Sequence, residues 1–171
     1  MTIRNIIRAA IIALIGIAGI GAVEAEPLPA PKQRPILTVS GNISATNEGD
    51  TAIFDRAMLE ALGTISFETE TPWYSEPVTF EGVPLAKLMQ YVGAKGEHIV
   101  VTALNDYSSD IPFADIMKYN VILAMKQNGQ YMSVRDKGPL FIVYPFDSDP
   151  QLKHQTYYGR SVWQVSKITV K

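Results

Sequence analysis

Apolar residues recur along this chain with two periods, and the switches between them mark out its elements. Phe54, Met58, Leu59 and Leu62 lie at helical spacing with Gly63 beyond them as a stop, which predicts a short helix. Ile65–Glu70 alternates apolar with polar and reads as a strand leading into Thr71-Pro72-Trp73. Glu81-Gly82 reads as a turn. Pro84 then opens a second helix, with Leu85, Leu88, Met89 and Val92 on one side and Gly93 closing it. Pro112 opens a third, running to about Tyr119. Further strands are predicted near Ile36–Val39, ended by Gly41, and over His98–Leu104, Leu140–Tyr144 and Ser161–Val170. Asn105–Asp110 is a polar loop. Val121–Lys126 and Gln130–Ser133 flank Gln127-Asn128-Gly129, a hairpin signal because Asn-Gly tolerates positive φ at both turn positions. Short helices scattered among strands, with a hairpin, predict one mixed-sheet α+β domain.

The first residues do not belong to that pattern. Arg4 and Arg8 precede an unbroken run of apolar and glycine residues over Ala9–Val23. That run is about 15 residues, short of the roughly 20 that span a bilayer as a helix. With small residues around Ala25, residues 1–25 are expected to be a signal peptide cut after Ala25, which directs the chain to the periplasm. An uncleaved signal anchor is the competing reading. Pro27, Pro29, Pro31 and Pro35 make residues 26–35 an extended linker. The domain then occupies 36–171 of the roughly 145 residues that remain after the cut, a common size for one core.

Charge and composition narrow the chemistry. Removing residues 1–25 takes away Arg4, Arg8 and Glu24, so the formal charge of −2 becomes −3 and no basic run remains. No nucleic-acid partner is expected from such a balance. Cysteine is absent, which excludes a thiolate nucleophile and every metal–thiolate site within this chain. Phosphate-loop, dinucleotide and zinc spacings are missing, as is a Gly-x-Ser-x-Gly elbow. His98 opens a strand and reads as structural. Asp147 and Asp149 with His154 could hold a divalent cation, but a loop entering a helix, with Asp149 as a cap beside Pro150, fits those residues better.

The binding inventory is richer. Trp73 follows a proline in a strand exit, and Asn105, Asp106 and Tyr107 fill another loop mouth. Arg135 and Lys137 flank Asp136, and Tyr157, Tyr158 and Arg160 precede Trp163, itself read as core. Aromatic faces, carboxylates and cations on loops suit a flat heteroaromatic ligand, and a carboxylate can accept two parallel hydrogen bonds from an amidine-like edge such as a pterin's.

Phe80-Glu81-Gly82-Val83-Pro84-Leu85, Ala103-Leu104-Asn105-Asp106-Tyr107 with Ile111-Pro112, and Lys137-Gly138-Pro139-Leu140 with Pro145 resemble, in order and spacing, the sulfite-oxidase-like molybdopterin-binding domain. The resemblance runs from about Ile36 to Lys171. It implies that fold, and in its catalytic members a cysteine bound to molybdenum near the segment that here reads Phe67–Thr71. With no cysteine, molybdenum redox catalysis is not expected; a periplasmic molybdopterin-dependent oxidoreductase is the alternative. Thr71-Pro72-Trp73 and Tyr157–Gln164 are similar to the cysteine-free PruR-type periplasmic pterin-binding proteins. That similarity implies a pterin as ligand rather than a redox cofactor. The implied partner is the periplasmic domain of an inner-membrane signalling protein, one that makes or degrades cyclic di-GMP or a sensor kinase. In such a protein Trp73 or Tyr107 would stack on the ring, and Asp106 or Glu70 would pair with its amidine edge. Arg135, Lys137 or Arg160 would meet its oxygens, with Thr71 and Asn105 completing the site.

Overall fold

The computed structural model describes residues 28–171. The export signal expected over residues 1–25 lies outside them. Among the described residues ten strands form two sheets, ordered β2-β1-β10-β5-β6 and β3-β4-β7-β8 with β9 also on β7. The first contains β1 (Leu37–Gly41), β2 (Ala52–Phe54), β5 (His98–Ala103), β6 (Ser108–Pro112) and β10 (Val165–Val170); the second contains β3 (Ile65–Thr69), β4 (Val78–Pro84), β7 (Ile122–Gln127), β8 (Gln130–Tyr131) and β9 (Phe141–Val143). Only β1 and β10 run parallel among these pairs, so the sheets are mixed and the domain is α+β. The helices between these strands are short: α1 (Arg56–Ala61), α2 (Leu85–Tyr91), α3 (Phe113–Lys118) and α4 (Gln155–Arg160). None of the described helices is long and apolar enough to cross a membrane.

Burial explains the patterns that were legible. Strand β5 alternates, with Ile99, Val101 and Ala103 buried and the residues between them half-buried. Val121–Met125 is apolar without interruption because β7 is covered on both faces. One face meets the main core, through Leu123 and Met125, and the other a smaller cluster around Phe80, Phe141 and Val143. The hairpin turns at Asn128 (φ 48°) and Gly129 (φ 78°), as the Asn-Gly pair requires.

Other segments depart from the sequence reading. Phe54 ends strand β2 rather than starting a helix, and Asp55 caps α1 by accepting from the Met58 amide at 2.9 Å. Glu81-Gly82 is no turn but lies within β4, opposite a bulge at Met125 of β7, where Glu81 pairs with Lys126 and Gly82 with Ala124. A Cβ at Gly82 would sit 2.2 Å from the Leu123 carbonyl oxygen, so only glycine lets the two backbones close in. Ser108–Asp110 belongs to edge strand β6, where Ser108 and Asp110 are exposed and Ser109 is half-buried on the face of the buried Ile111. The last strand starts at Val165, because 155–160 forms α4 and Gln164 turns the chain at φ 53°. From Leu28 onward the proline-rich segment is fastened to the domain: Leu28 is buried, and the Lys32 and Gln33 amides donate to Asp55 Oδ2.

Candidate functional site

Two cavities open beside the bridge between Phe141 and Trp163, where the second sheet meets the segment leading into β10. The first, of about 230 Å³, is aromatic: Trp73, Tyr107, Tyr158 and Trp163 supply its rings, and Asn105, Gly159 and Ser161 its polar atoms. The second, of about 260 Å³, is polar and is lined by Tyr74, Gln127, Arg135, Asp136 and Lys137 among others. Both fall below the usual range for sites that enclose a drug-sized ligand, and either suits one small ring system.

The aromatic walls are fixed by ring-on-ring packing. Trp73 meets Phe141, Trp163, Phe146 and Tyr158 edge-on, at centroid separations of 5.4, 5.7, 6.1 and 6.1 Å. Its backbone amide donates to Thr71 Oγ1. The 103–107 turn is closed by the Ala103 amide on the Tyr107 carbonyl at 2.8 Å, with Asp106 at φ 64°. The Tyr107 hydroxyl donates to the Gly159 carbonyl at 3.1 Å, so it straps this turn to α4 across the cavity. Lys137, at φ 68°, stands between the cavities, its ammonium 4.6 Å from the Tyr74 ring centre and 5.1 Å from that of Trp163. The Tyr74 hydroxyl donates to Gln127 Oε1; burial and then the nearby Asp136 carboxylate push its pKa up.

Of the residues expected at the site, Trp73, Asn105 and Tyr107 come together on the aromatic cavity, and Arg135 and Lys137 on the polar one. Glu70, Thr71, Asp106 and Arg160 line neither. The Glu70 carboxylate is bound by Lys153 at 2.9 Å, and Lys153 reaches Asp147 at 2.6 Å. That ammonium, more than any other neighbour, holds the Asp147 carboxyl below its ordinary pKa. Asp106 is exposed at the tip of its turn. Arg160 donates to Asp115 Oδ2 at 2.7 Å, and the fully buried Tyr144 hydroxyl donates to the same oxygen at 2.9 Å. Burial first, then the Asp115 carboxylate, raises the Tyr144 pKa. No carboxylate lines the aromatic cavity, and the Asn105 side-chain oxygen and the Gly159 carbonyl there both accept from Tyr107, from its amide and its hydroxyl.

Tyr158 and Trp163 stand in the binding inventory of the sequence, with no ligand contact assigned to either, and the structure brings both to the aromatic cavity. Trp163, expected as core in a terminal strand, precedes that strand and remains 37 % exposed. His154 caps α4 by accepting from the Thr156 amide, and Asp149 caps the turn at Pro150 by accepting from Gln151. Among the described residues no group of three or more His, Cys, Asp or Glu is arranged to hold a metal ion. At the end of β3, Thr69 is buried, its hydroxyl donating to the Glu70 carbonyl and accepting from the Asp147 amide.

The sequence model described as "oxidoreductase molybdopterin binding domain" matches residues 56–148, a span that includes Trp73, Asn105 and Tyr107 and stops before Tyr158 and Trp163. Comparison with curated protein sequences finds no match.

Proposed function

The chain belongs to the oxidoreductase molybdopterin-binding domain family, and on that premise we propose that it is a periplasmic pterin-binding protein that reports ligand occupancy to a membrane-bound signalling partner. The observation that carries this reading is the aromatic cavity formed by Trp73, Tyr107, Tyr158 and Trp163. A flat heteroaromatic ring fits such walls by stacking, and Asn105, Gly159 and Ser161 supply polar atoms for its edge. Lys137 over the Trp163 ring leaves a cation for a ligand oxygen at the rim.

The residues present do not fit the metal part of the family's cofactor. The chain has no cysteine, and hydroxyls and carboxylates are harder ligands than thiolate. Thr69, in the segment where the resemblance places the thiolate, is buried and already bonded on both sides. The pterin is therefore assigned the role of ligand, without redox chemistry at a metal. The apolar run over Ala9–Val23 supports export, and the partner follows from the signalling reading: an enzyme of cyclic di-GMP turnover or a sensor kinase. Signalling requires that the partner bind the loaded and empty forms with different affinity.

The test is a titration of the chain from Glu26 onward with neopterin and monapterin, oxidised and reduced, followed by tryptophan quenching. Saturable binding at micromolar concentration or tighter is expected. Trp163→Ala should weaken it about fivefold or more, from a stacking contribution of about 1–3 kcal/mol. No binding to any pterin sinks the ligand. Stoichiometric molybdenum in protein made by a cofactor-competent host overturns the non-catalytic reading.

A further inference from the structure

Two segments send neighbouring residues to opposite sides of one wall. Ala103, Asn105 and Tyr107 line the aromatic cavity, while Leu104 lines a separate groove of about 330 Å³. Trp163 likewise lines the cavity, and Val165 and Ser166 the groove. Gln164 ties the segments together. Its carbonyl accepts from the Leu104 amide and its own amide donates to the Lys137 carbonyl, both at 2.9 Å; its side chain donates to the Val134 carbonyl at 2.7 Å.

This wall also concentrates backbone strain. Asp106, Lys137 and Gln164 are three of the four non-glycine residues with positive φ among the described residues. Such conformations persist where the surrounding structure over-determines them, often at switching or binding elements. The groove itself is apolar and open, with Leu104 54 % and Val134 50 % exposed. No carboxylate lines it. Arg34 lines it and makes no ion pair among the described residues.

We propose that this groove docks a segment of the signalling partner that presents an apolar side chain flanked by Asp or Glu, and that the shared wall carries cavity occupancy to it. The inference rests on the pterin-reporting reading above. Leu104 and Val134 supply the apolar surface, and the Arg34 guanidinium selects the acidic flank. A ring stacked on Trp163 restricts the wall at Gln164, and through it the positions of Leu104 and Val134. That gives the loaded and empty forms different grooves.

The experiment places a photo-crosslinking amino acid at Leu104, Val134 or Met117 of the full chain in its own cells. Met117 is 74 % exposed beside a groove between α2 and α3 and serves as the control position. Leu104 and Val134 should give an adduct with one membrane signalling protein, mapped to an apolar segment containing Asp or Glu, and Met117 should not. Adding Arg34→Glu should lower the adduct yield at least fivefold while leaving the pterin titration curve unchanged, and pterin itself should change the yield. The proposal fails if groove positions give no adduct, give only a second copy of this chain, or react with a segment lacking acids. An adduct indifferent to Arg34→Glu overturns it as well, and so does one indifferent to pterin in a chain that binds pterin. A wild-type chain that forms the Arg34-sensitive adduct but binds no pterin would sink the ligand reading and leave the docking groove standing.

Discussion

Removing the Asp115 carboxylate should loosen the aromatic cavity from behind. Asp115 is 8 % exposed and accepts from Arg160 at 2.7 Å and from the Tyr144 hydroxyl at 2.9 Å. In Asp115→Ala, Tyr144, at 0 % exposure, keeps a hydroxyl with no partner, which costs about 1–3 kcal/mol. The orphaned guanidinium adds to this, but its side chain is 24 % exposed and recovers part of its hydration. The full cost of breaking a buried pair is about 3–5 kcal/mol. The net expectation is a loss of about 3 kcal/mol, or about 6–12 °C in melting temperature for a domain of this size. Arg160→Met should cost a similar amount, because it leaves Asp115 buried with the tyrosine alone. The double variant Asp115→Ala/Arg160→Met should be more stable than the sum of the singles predicts. Urea denaturation at neutral pH, with the m-value held as a check, measures all three. Single losses below about 1 kcal/mol, or strict additivity, would refute the argument that this pair anchors α4. The same series decides the role of Arg160. If the guanidinium contacted ligand rather than Asp115, Arg160→Met would lower pterin affinity without lowering stability.

Further predictions concern the frame around the site. Gly82→Ala forces a Cβ against the Leu123 carbonyl and the Ala124 backbone; a loss of about 3 kcal/mol is expected in chemical denaturation, and a neutral result would rule out the close approach at the bulge. Asp55 has its pKa lowered chiefly by the Met58 amide, with help from Gln33 and Lys32, against an opposing effect of burial. Its stabilisation is therefore present above its unfolded pKa and lost as pH falls through the lower folded value. Asp55→Ala should cost about 1–2 kcal/mol at pH 7, and that difference should shrink in strong acid; a gap constant with pH contradicts the assignment. Tyr107→Phe removes the hydrogen bond to the Gly159 carbonyl and should cost about 1 kcal/mol at most, while hydrogen exchange of the 103–107 turn quickens.

The local rules worked where one element decides its own geometry. Asn128-Gly129 forms its turn with no help from distant residues, and Pro84 and Pro112 cap α2 and α3 where they were expected to open them. They failed where a partner strand intervened. Glu81-Gly82 has turn composition, yet pairing with both β3 and β7 holds it extended, and its glycine serves close approach instead of reversal. Ser108–Asp110 looks like a loop because Ser108 and Asp110 are exposed at a sheet edge. At the site, Trp73, Asn105 and Tyr107 could be picked out as aromatic and polar residues on loops next to strands. Glu70 and Arg160 looked like free charges only because Lys153 and Asp115, 83 and 45 residues away, were invisible as their partners.

By itself the sequence determined the α+β class, the absence of any thiolate ligand, and the family, since these rest on composition and on spacings within short stretches. Tertiary structure decided which charges remain free for a ligand and which are consumed in pairs. It also split the expected site between an aromatic and a polar cavity, and brought Trp163 from the far end of the chain against Trp73. The reason is physical: a side chain's availability depends on what packs against it. In this fold those neighbours come from strands and loops far apart in the chain.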